Sequence, residues 1–198
     1  MMPAAFGPAQ RIGLLFGSFN PVHTGHLILA EHFATRTDLA EVWLVVSPQN
    51  PFKAGAELLP EAQRLSLVEL AIAGNPRLRV EAIEFGLPRP SYTIATLDAL
   101  QQRHPDTEFV LLMGADNLPG LPRWQQAARL LAEIDIYVYP RPGTALPELA
   151  LFPRVQVMQA PLLDISATYI RESLRLGRSI RYLVPASVET ALLSYGDE

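Results

Sequence analysis

One feature limits the fold more than any other: six short apolar runs, each bounded by turn-forming residues, alternate with stretches of helical periodicity. They cover residues 11–16, 41–47, 78–85 (where apolar and charged residues alternate), 108–113, 134–139 and 155–159. Apolar runs this short read as strands, and mostly as strands buried on both faces. Between and after them, helices are predicted from about Thr24 and over residues 60–73, 91–103, 124–133, 167–176 and 185–195. In the first, Leu27, Leu29, Ala30, Phe33 and Ala34 fall near helical spacing. Pro60 suits a first helical turn, and Gly74, Asn75 and Pro76 stop that helix. The alternation predicts an α/β fold: a doubly wound, mostly parallel sheet with helices on both faces. Residues 11–198 are expected to form one domain, preceded by a flexible leader over residues 1–10.

In such a sheet, ligands occupy the crevice beyond the carboxyl ends of the strands. The informative segments are therefore 17–26, 48–53, 114–117, 140–143 and 162–171. The net charge of −4 describes neither a nucleic-acid-binding tail nor a disordered chain, so an anion site must be built locally from backbone N–H groups and a few placed cations. With no cysteine, disulfides and thiolate catalysis are excluded, and a reducing compartment is the natural setting. The N-terminal residues lack the pattern of a secretory signal, and no stretch approaches the ~20 apolar residues of a membrane span. The expectation is a soluble cytoplasmic protein, with no nucleic acid and no membrane as partner and with its oligomeric state open.

After the first run comes Gly17-Ser18-Phe19-Asn20-Pro21-Val22-His23-Thr24-Gly25-His26. Gly17 lets the chain turn close to a ligand. His23 and His26, three apart at a helix start, share one face, and Gly25 leaves room for an adenine ring or a phosphate. A helix N-terminus bearing two imidazoles suits a polyphosphate. The alternatives are two surface histidines, or a zinc pair, for which no further ligands occur at a suitable spacing. The second string is Ile165-Ser166-Ala167-Thr168-Tyr169-Ile170-Arg171, opening a late helix. Ser166 could be a cap only. Thr168 and Arg171 are again three apart and can face one ligand.

On these two strings the chain resembles the HxGH-type nucleotidyltransferases, with His23-Thr24-Gly25-His26 as HxGH and residues 165–171 as ISxTxxR. Within that superfamily it is similar to the bacterial nicotinate-nucleotide adenylyltransferases. The branch is carried by SPQNPFK at 47–53, PSYT at 90–93, MGADNL at 113–118, Trp124 and the RPG of 141–143. The resemblance covers the chain from residue 11 on. It departs at Phe16, where the family often has the first of two glycines, so a ligand contact from this residue can come only through backbone.

The resemblance implies a Rossmann-like nucleotidyltransferase fold and transfer of AMP from ATP to nicotinate mononucleotide, with Mg²⁺ carried in on the ATP. It implies that Gly17, Ser18 and Phe19 lie against ATP, and that His23, His26 and Arg171 act on the phosphates in catalysis. Ser166 and Thr168 would hold the triphosphate with Arg171, and Asp116 would bind a ribose or organise the nucleotide region. Asn50, Lys53, Thr93, Trp124 and Arg141 would form the mononucleotide site, with Trp124 stacked on the pyridine ring and Arg141 on the 5′-phosphate. Read as residues alone, Asp116 could equally cap a helix, Trp124 could be a core aromatic, and Lys53 a solvated loop lysine. No metal-ligating residue is implied. Two other readings stay open: a phosphopantetheine adenylyltransferase of the same superfamily, and a catalytically idle nucleotide-binding module.

Overall fold

A computed structural model describes residues 10–48, 58–140, 152–161 and 163–195. Six strands form one sheet: β1 Gln10–Gly17, β2 Glu41–Val46, β3 Leu78–Glu81, β4 Thr107–Gly114, β5 Asp135–Tyr139 and β6 Val155–Val157. Their order is β3-β2-β1-β4-β5-β6, and every pairing between them is parallel. The helices are α1 Thr24–Arg36, α2 Glu61–Ile72, α3 Thr93–Arg103, α4 Ala127–Glu133, α5 Ala167–Arg175 and α6 Ala186–Ser194. Two 3-10 helices, Ile83–Gly86 and Ala115–Arg123, complete the described elements.

The apolar runs owe their lack of alternation to burial on both sides. On one face, Leu15, Val42, Leu44, Val46, Val110 and Leu112 meet α1, α2, α5 and α6 through Phe33, Leu67, Ile170 and Val188. On the other, Ile12, Leu14, Trp43, Val45, Leu111 and Met113 meet α3 and α4 through Ile94, Leu97, Leu100 and Leu130. The chain leaves β1 toward β2 on one side and β4 toward β5 on the other. The carboxyl ends of β1 and β4 thus diverge, which makes the crevice where a doubly wound sheet binds nucleotides.

Several sequence expectations shift. The strand expected over 78–85 ends at Glu81 and gives way to a 3-10 turn. The strand expected to reach Gln159 ends at Val157. The helix expected from Trp124 begins at Ala127, because the preceding residues form a 3-10 helix that accommodates Pro119 and Pro122, and Trp124 is its C-cap. Pro60 is the N-cap of α2 and not a residue of its first turn. Gln10, expected in the leader, pairs with Thr107 and opens β1.

Candidate active site

Beyond β1 the backbone turns sharply. Phe19 takes the left-handed region at φ 44, a conformation that costs a bulky residue energy and is kept only when its surroundings hold it. Its ring is buried and folds back over Gly17, where an added Cβ would stand 2.9 Å from the ring. The space at the missing Cβ of Gly17 is thus taken up by the Phe19 ring. Gly25 repeats the arrangement: its missing Cβ would lie 3.1 Å from Nδ1 of His23.

His23 is the N-cap of α1 and is buried; His26 is half-buried one turn on. Their imidazoles stack with centroids 3.6 Å apart, and His26 meets the edge of Phe19 at 5.0 Å. The backbone N–H of His23 donates to Nδ1 of His26 at 3.2 Å. With Nδ1 accepting, the proton of a neutral His26 sits on Nε2. The N–H of Thr24 donates to the carbonyl of Leu183 at 2.9 Å, and its hydroxyl to the carbonyl of Tyr182 at 3.1 Å. The first donor of α1 is therefore spent on the chain's own C-terminal region.

The second motif closes on the first. Nη1 of Arg171 donates to the carbonyl of Asn20 at 2.7 Å, and Nη2 to Oγ1 of Thr168 at 3.3 Å. Residues 151 positions apart are thereby held in hydrogen-bond contact. Ser166 does cap α5, accepting from the N–H of Tyr169 at 3.2 Å. Thr168 and Arg171 line an open depression of 420 Å³ together with Glu172 and Arg175. Asp116 lies exposed in the first turn of the 3-10 helix after β4; Gly114 is the N-cap there, so Asp116 does not cap it.

The residues expected at a mononucleotide site divide. Thr93 opens α3 and is half-buried, with the Ser91 Oγ two residues before it buried and lacking a hydrogen-bond partner among the described residues. Trp124 is half-buried and packs against the core on the α3 face of the sheet. The histidine and arginine motifs belong to helices on the opposite face, so the two sets of residues approach the crevice from different sides. Asn50, Lys53 and Arg141 lie outside the described residues. Among the described residues, no three His, Asp or Glu side chains gather where they could hold a metal ion, and no helix is long and apolar enough to cross a membrane.

Sequence reading overlooked two groups at this edge. Asn20, taken only as a turn residue, is buried; its Oδ1 accepts from the N–H of Leu59 at 2.9 Å while its carbonyl receives Arg171. Arg64 is fully buried beneath the loop. The available signal was its place on the helix face that also carries Leu67 and Val68, where a charge is costly unless fixed by partners.

The cytidylyltransferase-like family matches residues 14–173. A probable nicotinate-nucleotide adenylyltransferase of Cytophaga hutchinsonii is 50% identical over 93% of this chain and 96% of its own. One from Bacteroides fragilis is 46% identical over 94% and 93%. Among solved structures, nicotinic acid mononucleotide adenylyltransferase of Plasmodium falciparum, complexed with NaAD, superposes with a TM-score of 0.79 at 18% identity, over 94% of this chain and 96% of that one. A putative nicotinate-nucleotide adenylyltransferase of Vibrio parahaemolyticus gives 0.69 at 22% identity, over 94% of each chain.

Proposed function

The chain belongs to the cytidylyltransferase-like family and, within it, to the nicotinate-nucleotide adenylyltransferases, and from that membership we infer that it transfers AMP from ATP to nicotinate mononucleotide, giving nicotinate adenine dinucleotide and pyrophosphate. The observation that carries the reading to this chain's own residues is the contact between Arg171 and the carbonyl of Asn20, which assembles both phosphate motifs at the end of β1.

The 5′-phosphate of the mononucleotide is already a nucleophile, so no general base is required. Its oxygen attacks the α-phosphorus of ATP in line, the bond from that phosphorus to the bridging oxygen breaks, and pyrophosphate leaves. What remains for the protein is positioning and charge stabilisation. We assign His26 as a donor through Nε2 to the phosphates, with the stacked His23 beside it, and Arg171 and Thr168 as donors from α5. Gly17, Ser18 and Phe19 would present backbone to ATP; Ser166 contributes by fixing the start of α5. Asp116, beyond β4, is placed to meet a ribose. Thr93 and Trp124, with Asn50, Lys53 and Arg141, are assigned to the mononucleotide. A divalent cation suits this donor set only if the phosphates and water hold most of it, since the described residues offer no carboxylate cage. Bound there as Mg²⁺, it would neutralise phosphate charge.

The test is pyrophosphate release from ATP with either mononucleotide. Nicotinate mononucleotide should be used with clearly higher kcat/KM than the nicotinamide form, because a carboxylate accepts from every donor around it while an amide leaves one opposed, at about 1–3 kcal/mol per unsatisfied buried group. Equal use of both would defeat the nicotinate assignment; release with neither would defeat the transferase. With ATP chiral at the α-phosphorus the product should show inversion, and retention would demand two displacements through an adenylylated protein side chain.

A further inference from the structure

Arg64 is a cation with no exposed surface, and no carboxylate is in ion-pair contact with it among the described residues. Its partners are backbone carbonyls. Nε donates to Leu59 at 3.0 Å, Nη1 to Ser18 at 2.7 Å and to Ser47 at 2.7 Å, and Nη2 to Pro48 at 3.0 Å. Burial pushes the guanidinium below its ordinary pKa, a pull to which nearby Arg89 adds and which Glu61 opposes. A buried charge held only by carbonyl dipoles is expensive to keep, and a leucine would serve the apolar face of α2 better. The placement of those carbonyls suggests what the charge does. Ser18 lies in the turn after β1 that leads to His23 and His26, whereas Ser47 and Pro48 follow β2.

Against β2 packs the 3-10 turn Ile83–Gly86, which carries Glu84, a buried carboxyl that accepts from Oγ1 of Thr96 at 2.6 Å. Thr96 lies in the first turn of α3, the helix that Thr93 opens. A set of polar links therefore joins the turn assigned to ATP, through Arg64, to the residues after β2, and Glu84 to the helix assigned to the mononucleotide. Every link in the set is a side chain holding backbone or another side chain, and none of its members is required to touch substrate.

Building on the transferase reading above, we propose that Arg64 is a positioning residue: by clamping the Ser18 carbonyl to those of Ser47 and Pro48, it sets the distance between the α-phosphate and the attacking phosphate. A planar fork reaches four carbonyls in fixed directions; a lysine ammonium, a compact point charge, does not. Each substrate alone still finds its own residues when the clamp is loosened, but the two no longer meet in line.

The experiment compares Arg64→Lys and Arg64→Ala with wild type, measuring melting temperature, calorimetric binding of ATP and of nicotinate mononucleotide separately, and steady-state turnover. The expected result is a folded variant with wild-type stoichiometry and affinity for each substrate alone and a kcat lowered about 10- to 100-fold, as small misplacements of reacting groups cause. Wild-type kcat in a folded Arg64→Lys variant would overturn the assignment. So would a loss of turnover that merely follows the loss of ATP-binding sites, or failure of both variants to fold, since each makes Arg64 a support of the core alone. Wild type in the same assay separates the two ideas: an inactive wild type defeats the transferase reading, while active wild type beside unimpaired variants defeats only the role of Arg64.

Discussion

His26 holds the start of a helix and is also the side chain assigned above to the phosphates. Its Nδ1 closes the start of α1 by accepting from the His23 N–H, and that same bond leaves Nε2 as the donor. His26→Ala should therefore have two separable effects. Loss of the cap lowers stability by about 0.5–2 kcal/mol, read as a modest fall in melting temperature. Loss of the phosphate donor lowers kcat by about 10²–10³, read in steady-state assays under saturating substrates. A folded variant with near-wild-type kcat would leave His26 a capping residue and no more. The histidines were legible as a motif because their spacing and the helix start are local. The occupants of the space beside Gly17 and Gly25 were not. Only the folded backbone brings Phe19 and His23 over them.

At the scale of elements, the start of α5 carries a cap and two side chains assigned to ATP within six residues. Ser166 accepts from Tyr169 and so holds the helix start, whereas Thr168 presents its hydroxyl beside Arg171. Ser166→Ala should cost about 1 kcal/mol of stability and loosen Arg171 indirectly, lowering kcat and melting temperature together. Thr168→Ala should leave the melting temperature nearly unchanged and raise KM for ATP, with KM for the mononucleotide unaffected. If the two variants exchanged these signatures, the roles assigned along α5 would be reversed. The helix after β4 illustrates why element boundaries were less legible. The sequence around Pro119 and Pro122 lacks the donors and the clearance of an α-helix, yet the chain still coils as a 3-10 helix and buries Leu118 and Leu121 under the sheet. That burial displaces Trp124 from the helix expected there to its C-terminal cap, half-buried on the α3 side.

Across the whole molecule, the end of the sheet opposite the crevice is tied by charge. Arg11 of β1 pairs with Asp38, with Glu108 of β4 and with Asp135 of β5, and Tyr137 donates to Asp38 at 2.6 Å. Burial works against ionisation of Asp38, but the hydrogen bonds from Tyr137 and Arg11 outweigh it and hold its carboxyl below the ordinary 3.8. A depressed folded pKa means that the stabilisation is present above the unfolded value and is lost as pH falls through the folded one. Asp38→Asn should therefore be less stable than wild type at neutral pH, with the gap closing on acidification; melting curves at stepped pH would show it, and a pH-independent gap would deny the linkage. This cluster has no local signature, since its members come from four separate parts of the chain. By itself the sequence determined the order of strands and helices, their approximate limits, and the two motif strings, because apolar periodicity, turn residues and helix starts are properties of neighbouring residues. The tertiary structure alone decided which distant groups meet: Arg171 on Asn20, Arg64 beneath Ser18 and Ser47, Arg11 among three carboxylates. The physical reason is that a buried charge takes whichever partners the packed sheet and helices bring within reach, and that proximity is set by the sum of all the packing rather than by any stretch of chain.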